Sequence, residues 1–264
     1  MEKPRPNIRV RHENVKRPHP EAVRHLSLGT LSEEYGTGGL YVRLNYALEQ
    51  ADLSDNLLIR EATQLGLALH IDDMRTNGRY NDHLMRVTIR MLEDFGIRDP
   101  NLIAAGPLHD TLEDHPRDLV RSLTGDRIKD PIRARLLGQY ALAHITNDEV
   151  AQIIFDVTNP IVAPGEDKLE SYTRHTQQLI QTSQKGRVLK LSDFVDNAVG
   201  NHATIGNLQQ KLDNKYIAQY DIHKNGLYLG DSLITGERRE RALAQLNKGH
   251  QRALGRLALH APQE

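Results

Sequence analysis

Leu108-His109-Asp110-Thr111-Leu112-Glu113-Asp114 gathers one imidazole and three carboxylates into a single short stretch. A helical trace sets His109 beside Glu113, and Asp110 beside Asp114, because residues four apart share one face. Carboxylates held that close repel one another unless a cation lies among them or water screens them. The stretch is therefore either a metal-binding segment or a solvated acidic helix end before Pro116, and its surroundings decide between the two.

Two further polar residues stand where a divalent ion needs them. His83 opens an amphipathic run carrying Val87, Met91, Leu92 and Phe95. Asp193 closes Arg187-Val188-Leu189-Lys190-Leu191-Ser192-Asp193, a largely apolar helical stretch where an uncompensated carboxylate is costly to bury. Two imidazoles and two carboxylates make a mixed nitrogen and oxygen set. Such a set suits Mn²⁺, Fe²⁺ or Zn²⁺ better than Ca²⁺ or a soft ion. Four protein ligands on a larger ion such as Mn²⁺ also leave positions open for water and substrate.

The rest of the chain reads as nearly all helix. Apolar residues recur at spacings of three and four in Leu57–Leu69, Leu84–Phe95, Leu136–Ile145, Val150–Val157, Leu179–Leu191 and Leu243–Leu259. Pro100, Pro116, Pro131, Pro160 and Pro164 fall between these runs, where helices start or stop. Met1 to Pro20 is rich in proline and charge without periodicity, which predicts an arm that is disordered or lies on the surface. Ser27 to Leu40 holds Gly29, Gly36, Gly38 and Gly39 in neither a P-loop nor a dinucleotide-binding pattern, and is expected to be a connecting loop.

Composition narrows the class. The 264 residues suffice for one sizeable domain with additions, or two small ones. A formal net charge of −1 gives no basic field for nucleic acid, and no apolar run is long enough to span a membrane. The absence of cysteine excludes a disulfide scaffold, a thiolate metal site and a cysteine nucleophile, and is compatible with a reducing cytoplasm. The polar first twenty residues lack the apolar core of a secretory signal.

His83, His109-Asp110 and Asp193 follow the H…HD…D pattern, so the chain resembles the HD metal-dependent phosphohydrolases. It is most similar to one branch, the hydrolase domain of RelA/SpoT-type alarmone enzymes and the stand-alone small alarmone hydrolases. That branch reads H-x-x-x-x-R-x-S-G-x-x-Y-x-x-H, then LLHD-x-x-ED, a V-T pair and KLADR-x-x-N. This chain has His70-Ile71-Asp72-Asp73-Met74-Arg75-Thr76-Asn77-Gly78-Arg79-Tyr80-Asn81-Asp82-His83, one residue shorter after the glycine. Leu108-His109-Asp110 with Glu113-Asp114, Val157-Thr158 and Lys190-Leu191-Ser192-Asp193-Phe194-Val195-Asp196-Asn197 follow. The match runs over roughly residues 60 to 220. Its HD pair alone is a weak signal, and the flanking motifs make it strong.

The resemblance implies an all-α fold, an HD-domain helical bundle over 56–222. An N-terminal arm and extension (1–55) and a C-terminal helical extension (223–264) would pack on it. It implies His83, His109, Asp110 and Asp193 as ligands to one divalent ion, Mn²⁺, and Glu113 and Asp114 as the water-activating pair, Glu113 with the larger role. Arg75, Asn77, Tyr80, Lys190 and Asn197 would bind substrate, with Arg75 stacked on guanine. Tyr80 otherwise fills core, Asn197 otherwise caps its helix, and Lys190 and Arg187 either reach phosphate or extend to solvent. Asn77 replaces the usual serine and Arg79 the usual Glu-Pro, which puts base selectivity in doubt more than catalysis. Arg117 to His144 reads as inserted helix.

The activity so implied is removal of the 3′-pyrophosphate from guanosine tetra- and pentaphosphate, (p)ppGpp, giving GDP or GTP plus pyrophosphate. A small-molecule nucleotide would be the partner, with no nucleic acid and no membrane, in the cytoplasm; homo-oligomerisation stays open. With no synthetase domain expected, the enzyme would degrade constitutively. Two other readings stand beside it: an HD-type phosphohydrolase for a deoxynucleotide or cyclic nucleotide, and a non-catalytic metal-retaining regulatory module.

Overall fold

Helix α4 (Tyr80–Glu93) runs through the middle of the molecule, with every residue from Asn81 to Leu92 buried. The computed structural model describes residues 20–75, 78–200 and 206–259, so the N-terminal arm and Asn77 lie outside the described residues. Around α4, in chain order, stand α1 (Pro20–His25), α2 (Leu28–Glu49), α3 (Leu57–Leu69), α5 (Pro100–Ala105), a 3₁₀ turn (Gly106–Leu108) and α6 (Thr111–Asp114). The chain continues through α7 (Pro116–Thr124), α8 (Pro131–Ile145), α9 (Asp148–Val157), α10 (Lys168–Thr182), α11 (Gln184–Gly200), α12 (Gly206–Leu227) and α13 (Gly236–Leu259). A two-residue hairpin, β1 (Met74–Arg75) against β2 (Gly78–Arg79), leads directly into α4. The architecture is all-α, as the sequence predicts.

Local chemistry sets the helix ends. Asn56, Asp99, Asp130, Asn147 and Asp167 each accept a backbone N–H of the helix they precede. Pro100, Pro116 and Pro131 sit in first turns, where the missing N–H costs nothing. Helices α2, α11 and the turn before α6 pack on α4, while α9 and α13 lie against α11. One continuous apolar core extends from Val23 to Ala253. Residues 117–144, read from the sequence as helix, lie in a helical pair, α7 and α8, joined after Gly125, which takes the left-handed conformation (φ 74°) that closes α7. No helix among the described residues is long and apolar enough to cross a membrane.

Two expectations are corrected. Ser27–Leu40 is mostly helix α2, not a connecting loop, and breaks only at Gly36 (φ 57°, ψ −153°). Packing overrides glycine's weak helix propensity here. Leu31, Leu40 and Leu44 are buried, and Ser32 and Thr37, on either side of the break, both donate to the buried Asp82 carboxylate. The run Leu179–Leu191 is not one helix either. Ser183 is extended (φ −126°, ψ 101°) and ends α10, and its Oγ donates to Asp156 and accepts from the Gly186 N–H that starts the next helix.

Candidate metal centre

Three elements deliver the centre. His83 sits in the first turn of α4, His109 and Asp110 link the 3₁₀ turn to α6, and Asp193 lies on α11. His83 Nε2 is 3.3 Å from His109 Nε2, 3.3 Å from Asp193 Oδ1 and 3.6 Å from Asp110 Oδ2. His109 Nε2 is 3.0 Å from Asp110 Oδ2 and 3.6 Å from Asp193 Oδ1. Both imidazoles are buried.

The outward nitrogens settle what the inward ones offer. His83 Nδ1 donates to Asp196 Oδ2 at 2.8 Å, and His109 Nδ1 donates to the Gly106 carbonyl at 2.8 Å. A carboxylate and a carbonyl only accept, so each neutral ring carries its proton on Nδ1 and turns an Nε2 lone pair inward. In that tautomer two lone pairs and two carboxylate oxygens converge, a donor set that fits a divalent ion of the Mn²⁺, Fe²⁺ or Zn²⁺ type. Without an ion, the two carboxylates draw a further proton onto the rings. Burial pulls His109 down, but Asp110 and Asp193 overcome it and hold the ring well above its ordinary range. Burial raises Asp110 and Asp193, yet the two histidines hold both carboxyls well below theirs.

A second layer orients these groups. Tyr80 Oη donates to Asp110 Oδ2 at 2.6 Å, and Asn197 Nδ2 donates to Asp193 Oδ1 at 2.7 Å. Asp196, which the sequence reading passed over, is the largest part of this layer. Its buried carboxylate accepts from His83, from Arg86 Nη2 at 3.0 Å and from Arg90 Nη2 at 3.0 Å. Burial raises the Asp196 carboxyl, and Arg86 first among its partners brings it well below the usual range. The signal for it lay in α4: His83, Arg86 and Arg90 share one face of a wholly buried helix, and buried guanidinium groups require a carboxylate.

Glu113 and Asp114 face different surroundings. Glu113 accepts from the Asn159 backbone N–H at 2.7 Å and from Asn159 Nδ2 at 3.1 Å. Asp114 is open to solvent on one side, and partial burial together with the charge of Asp110 pushes its carboxyl up. Lys190 is buried, with Nζ donating to the Val157 carbonyl at 3.0 Å and to Asn159 Oδ1 at 3.3 Å, 4.0 Å from Asp193. Arg187 turns away to Asp231 at 2.7 Å. Asn159 also lines a cleft of about 720 Å³ with Tyr172, Lys168, Lys211 and Lys215.

The hairpin supplies the remaining predicted residue. Arg75 lies over the Tyr80 ring, 4.8 Å from its centroid, and Nη2 donates to Asn197 Oδ1 at 2.9 Å. Arg75, Tyr80 and Asn197 therefore form one polar wall joined to the Asp110 and Asp193 side of the centre.

No family model matches the chain, and no curated protein matches it. Among solved structures, the chain is similar to one described by the words "a metazoan ortholog of SpoT hydrolyzes ppGpp and plays a role in starvation responses". The superposition has a TM-score of 0.53 at 16% identity, covering 75% of this chain and 96% of that one. At that identity the likeness shows the fold alone: the chain is an all-α bundle that folds like that structure over the matched part.

Proposed function

We propose that the protein is a metal-dependent hydrolase that removes the 3′-pyrophosphate from guanosine tetra- and pentaphosphate, with Mn²⁺ as its working ion, in the cytoplasm. The observation that carries the reading is the convergence of His83 Nε2, His109 Nε2, Asp110 and Asp193, with each ring's Nδ1 bonded outward, flanked by the Arg75–Tyr80–Asn197 wall. His83, His109, Asp110 and Asp193 would hold the ion, which supplies a Lewis acid for the phosphoryl oxygens and lowers the pKa of water. Tyr80 and Asn197 fix the two carboxylate ligands in place.

In the reaction, water oxygen bonds to the phosphorus attached to ribose O3′, and the bond to O3′ breaks. Pyrophosphate leaves and O3′ ends as a hydroxyl. Glu113, oriented by both donors of Asn159, accepts the water proton, and Asp114 beside it supports it. Lys190 adds positive charge close to Asp193 and Asn159, and burial, which lowers it, is outweighed by Tyr172 and Asp193 so that it stays charged. The cleft beyond Asn159 carries Lys168, Lys211 and Lys215 beside Glu166 and Asp167, an excess of one positive charge that favours a phosphate arm.

Glu113→Gln keeps the shape and one of the two acceptors that Asn159 uses, but loses basicity. It is expected to retain metal and substrate binding while kcat falls about 10²-fold or more. Asp114→Asn is expected to cost less. Measuring kcat beside metal content decides: a near-normal Glu113→Gln with a crippled Asp114→Asn transfers the base role to Asp114.

Arg75→Ala tests the substrate. Stacking of a guanidinium on a base contributes about 0.5–2 kcal/mol, so KM is expected to rise about 2- to 30-fold with kcat less affected. Arg75→Lys recovers little if the planar face matters. If Arg75 instead grips phosphate, lysine rescues most of the loss and added salt mimics the mutation. Comparing KM for both variants at low and high salt separates these, and full rescue by lysine removes the guanine-stacking role.

A further inference from the structure

A second convergence of metal-ligating groups lies beside the first centre and shares none of its ligands. His70 closes α3, Asp73 sits in the turn before β1, and His115 joins α6 to α7 immediately after Asp114. His70 Nδ1 is 2.7 Å and His115 Nε2 2.8 Å from the same oxygen, Asp73 Oδ2. The three ligand atoms lie within 4.8 Å of one another. The imidazoles meet edge to face, with ring centroids 4.5 Å apart.

His115 Nδ1 is 3.1 Å from Asp118 Oδ2, so the ring stands between two carboxylates. Burial lowers the His115 pKa, but Asp73 and Asp118 outweigh it and raise the ring above its ordinary range, so an ion bound at Nε2 would take the place of the proton shared with Asp73. His70 is the ring left short of a partner, since burial lowers its pKa and keeps it neutral. With its proton on Nδ1, the buried Nε2 is an acceptor without a donor; with its proton on Nε2, the Nδ1 lone pair faces Asp73.

We propose that His70 Nδ1, Asp73 Oδ2 and His115 Nε2 form a second divalent-metal site, for a borderline ion of the Zn²⁺ class. Two imidazoles and one carboxylate are the donor set such ions take, and Asp118 is the outer carboxylate that orients a histidine ligand. Asp73 is 34% exposed, which leaves water access to the remaining coordination position. The site is mechanically tied to the first. The His70 ring stacks on Tyr80 (centroids 4.6 Å apart, 8° between planes), and Tyr80 donates to Asp110. An ion here therefore fixes Tyr80 and, through it, a ligand of the first centre, and adds positive charge next to Asp114. This inference does not depend on the identity of the substrate.

The test is metal stoichiometry of the full chain, stripped with chelator, reloaded with excess Zn²⁺, desalted and measured by elemental analysis. Wild type is expected to hold two ions per chain. His115→Gln and Asp73→Asn, checked for native helicity by circular dichroism, are each expected to hold one. Asp193→Ala, which leaves the second site intact, is expected to keep one, and its combination with His115→Gln none. The Asp193→Ala measurement alone decides if the second-site variants do not fold. A single ion in wild type, two ions persisting in either second-site variant, or none in Asp193→Ala overturns the proposal.

Discussion

His109→Ala and Asp193→Ala are each expected to hold one ion fewer than wild type and to lose at least about 10²-fold in turnover. The expectation follows from how the centre is assembled. His109 Nε2 and Asp193 Oδ1 belong to a set of four acceptors whose rings are locked, proton outward, by Gly106 and Asp196. Alanine removes one ligand atom, and Tyr80 and Asn197 beside it are hydrogen-bond donors already committed to Asp110 and Asp193. Elemental analysis beside initial rates checks this. Undiminished metal content in both variants removes these residues from the ligand set, whatever the rates do.

Asp196→Ala is expected to destabilise the fold by about 3–5 kcal/mol, the usual cost of taking one partner from a buried ion pair. Asp196 is 2% exposed, and its carboxylate is the shared partner of Arg86 and Arg90. Deleting it leaves two guanidinium groups inside α4 facing a cavity. Asp196→Asn keeps an acceptor and is expected to cost less stability, yet the weaker acceptor loosens the His83 ring and lowers metal affinity about 10- to 100-fold. Denaturant unfolding of the metal-free protein measures the first effect and metal titration the second. A loss below about 1 kcal/mol for Asp196→Ala would mean that Arg86 and Arg90 find other partners.

Helices were legible where local chemistry and periodicity agree. Asn56, Asp130 and Asn147 cap helices whose apolar spacing is plain in the chain, and three of the five prolines start helices. Where tertiary contacts decide, the sequence misleads. Four glycines between Ser27 and Leu40 read as loop, but helix α2 passes through them because Asp82 anchors the hydroxyls around Gly36 and the leucines bury against α4. Leu179 to Leu191 reads as one periodic run, and only the Ser183 side chain, bonded to Asp156 across the fold, reveals the break.

The site divides in the same way. His83, His109, Asp110 and Asp193 are brought together by the packing of α4, the turn before α6 and α11, and motif spacing anticipates that grouping. Asn159 on Glu113 and Asp196 on His83 could not be read from spacing, since each depends on a contact between distant segments. The cluster of His70, Asp73 and His115 has the same origin: 42 residues separate Asp73 from His115 along the chain, and only the fold unites them.

Hydrolysis by the purified, Mn²⁺-loaded chain, with products identified, tests the central claim most directly. Guanosine tetraphosphate, cyclic nucleotides and deoxynucleotides are supplied in parallel at equal concentration. The account predicts that guanosine tetraphosphate yields pyrophosphate and GDP in equal amounts and that the other nucleotides are turned over far more slowly. Release of inorganic phosphate in place of pyrophosphate, preferential turnover of a deoxynucleotide or cyclic nucleotide, or retention of metal with no turnover of any of them would contradict it.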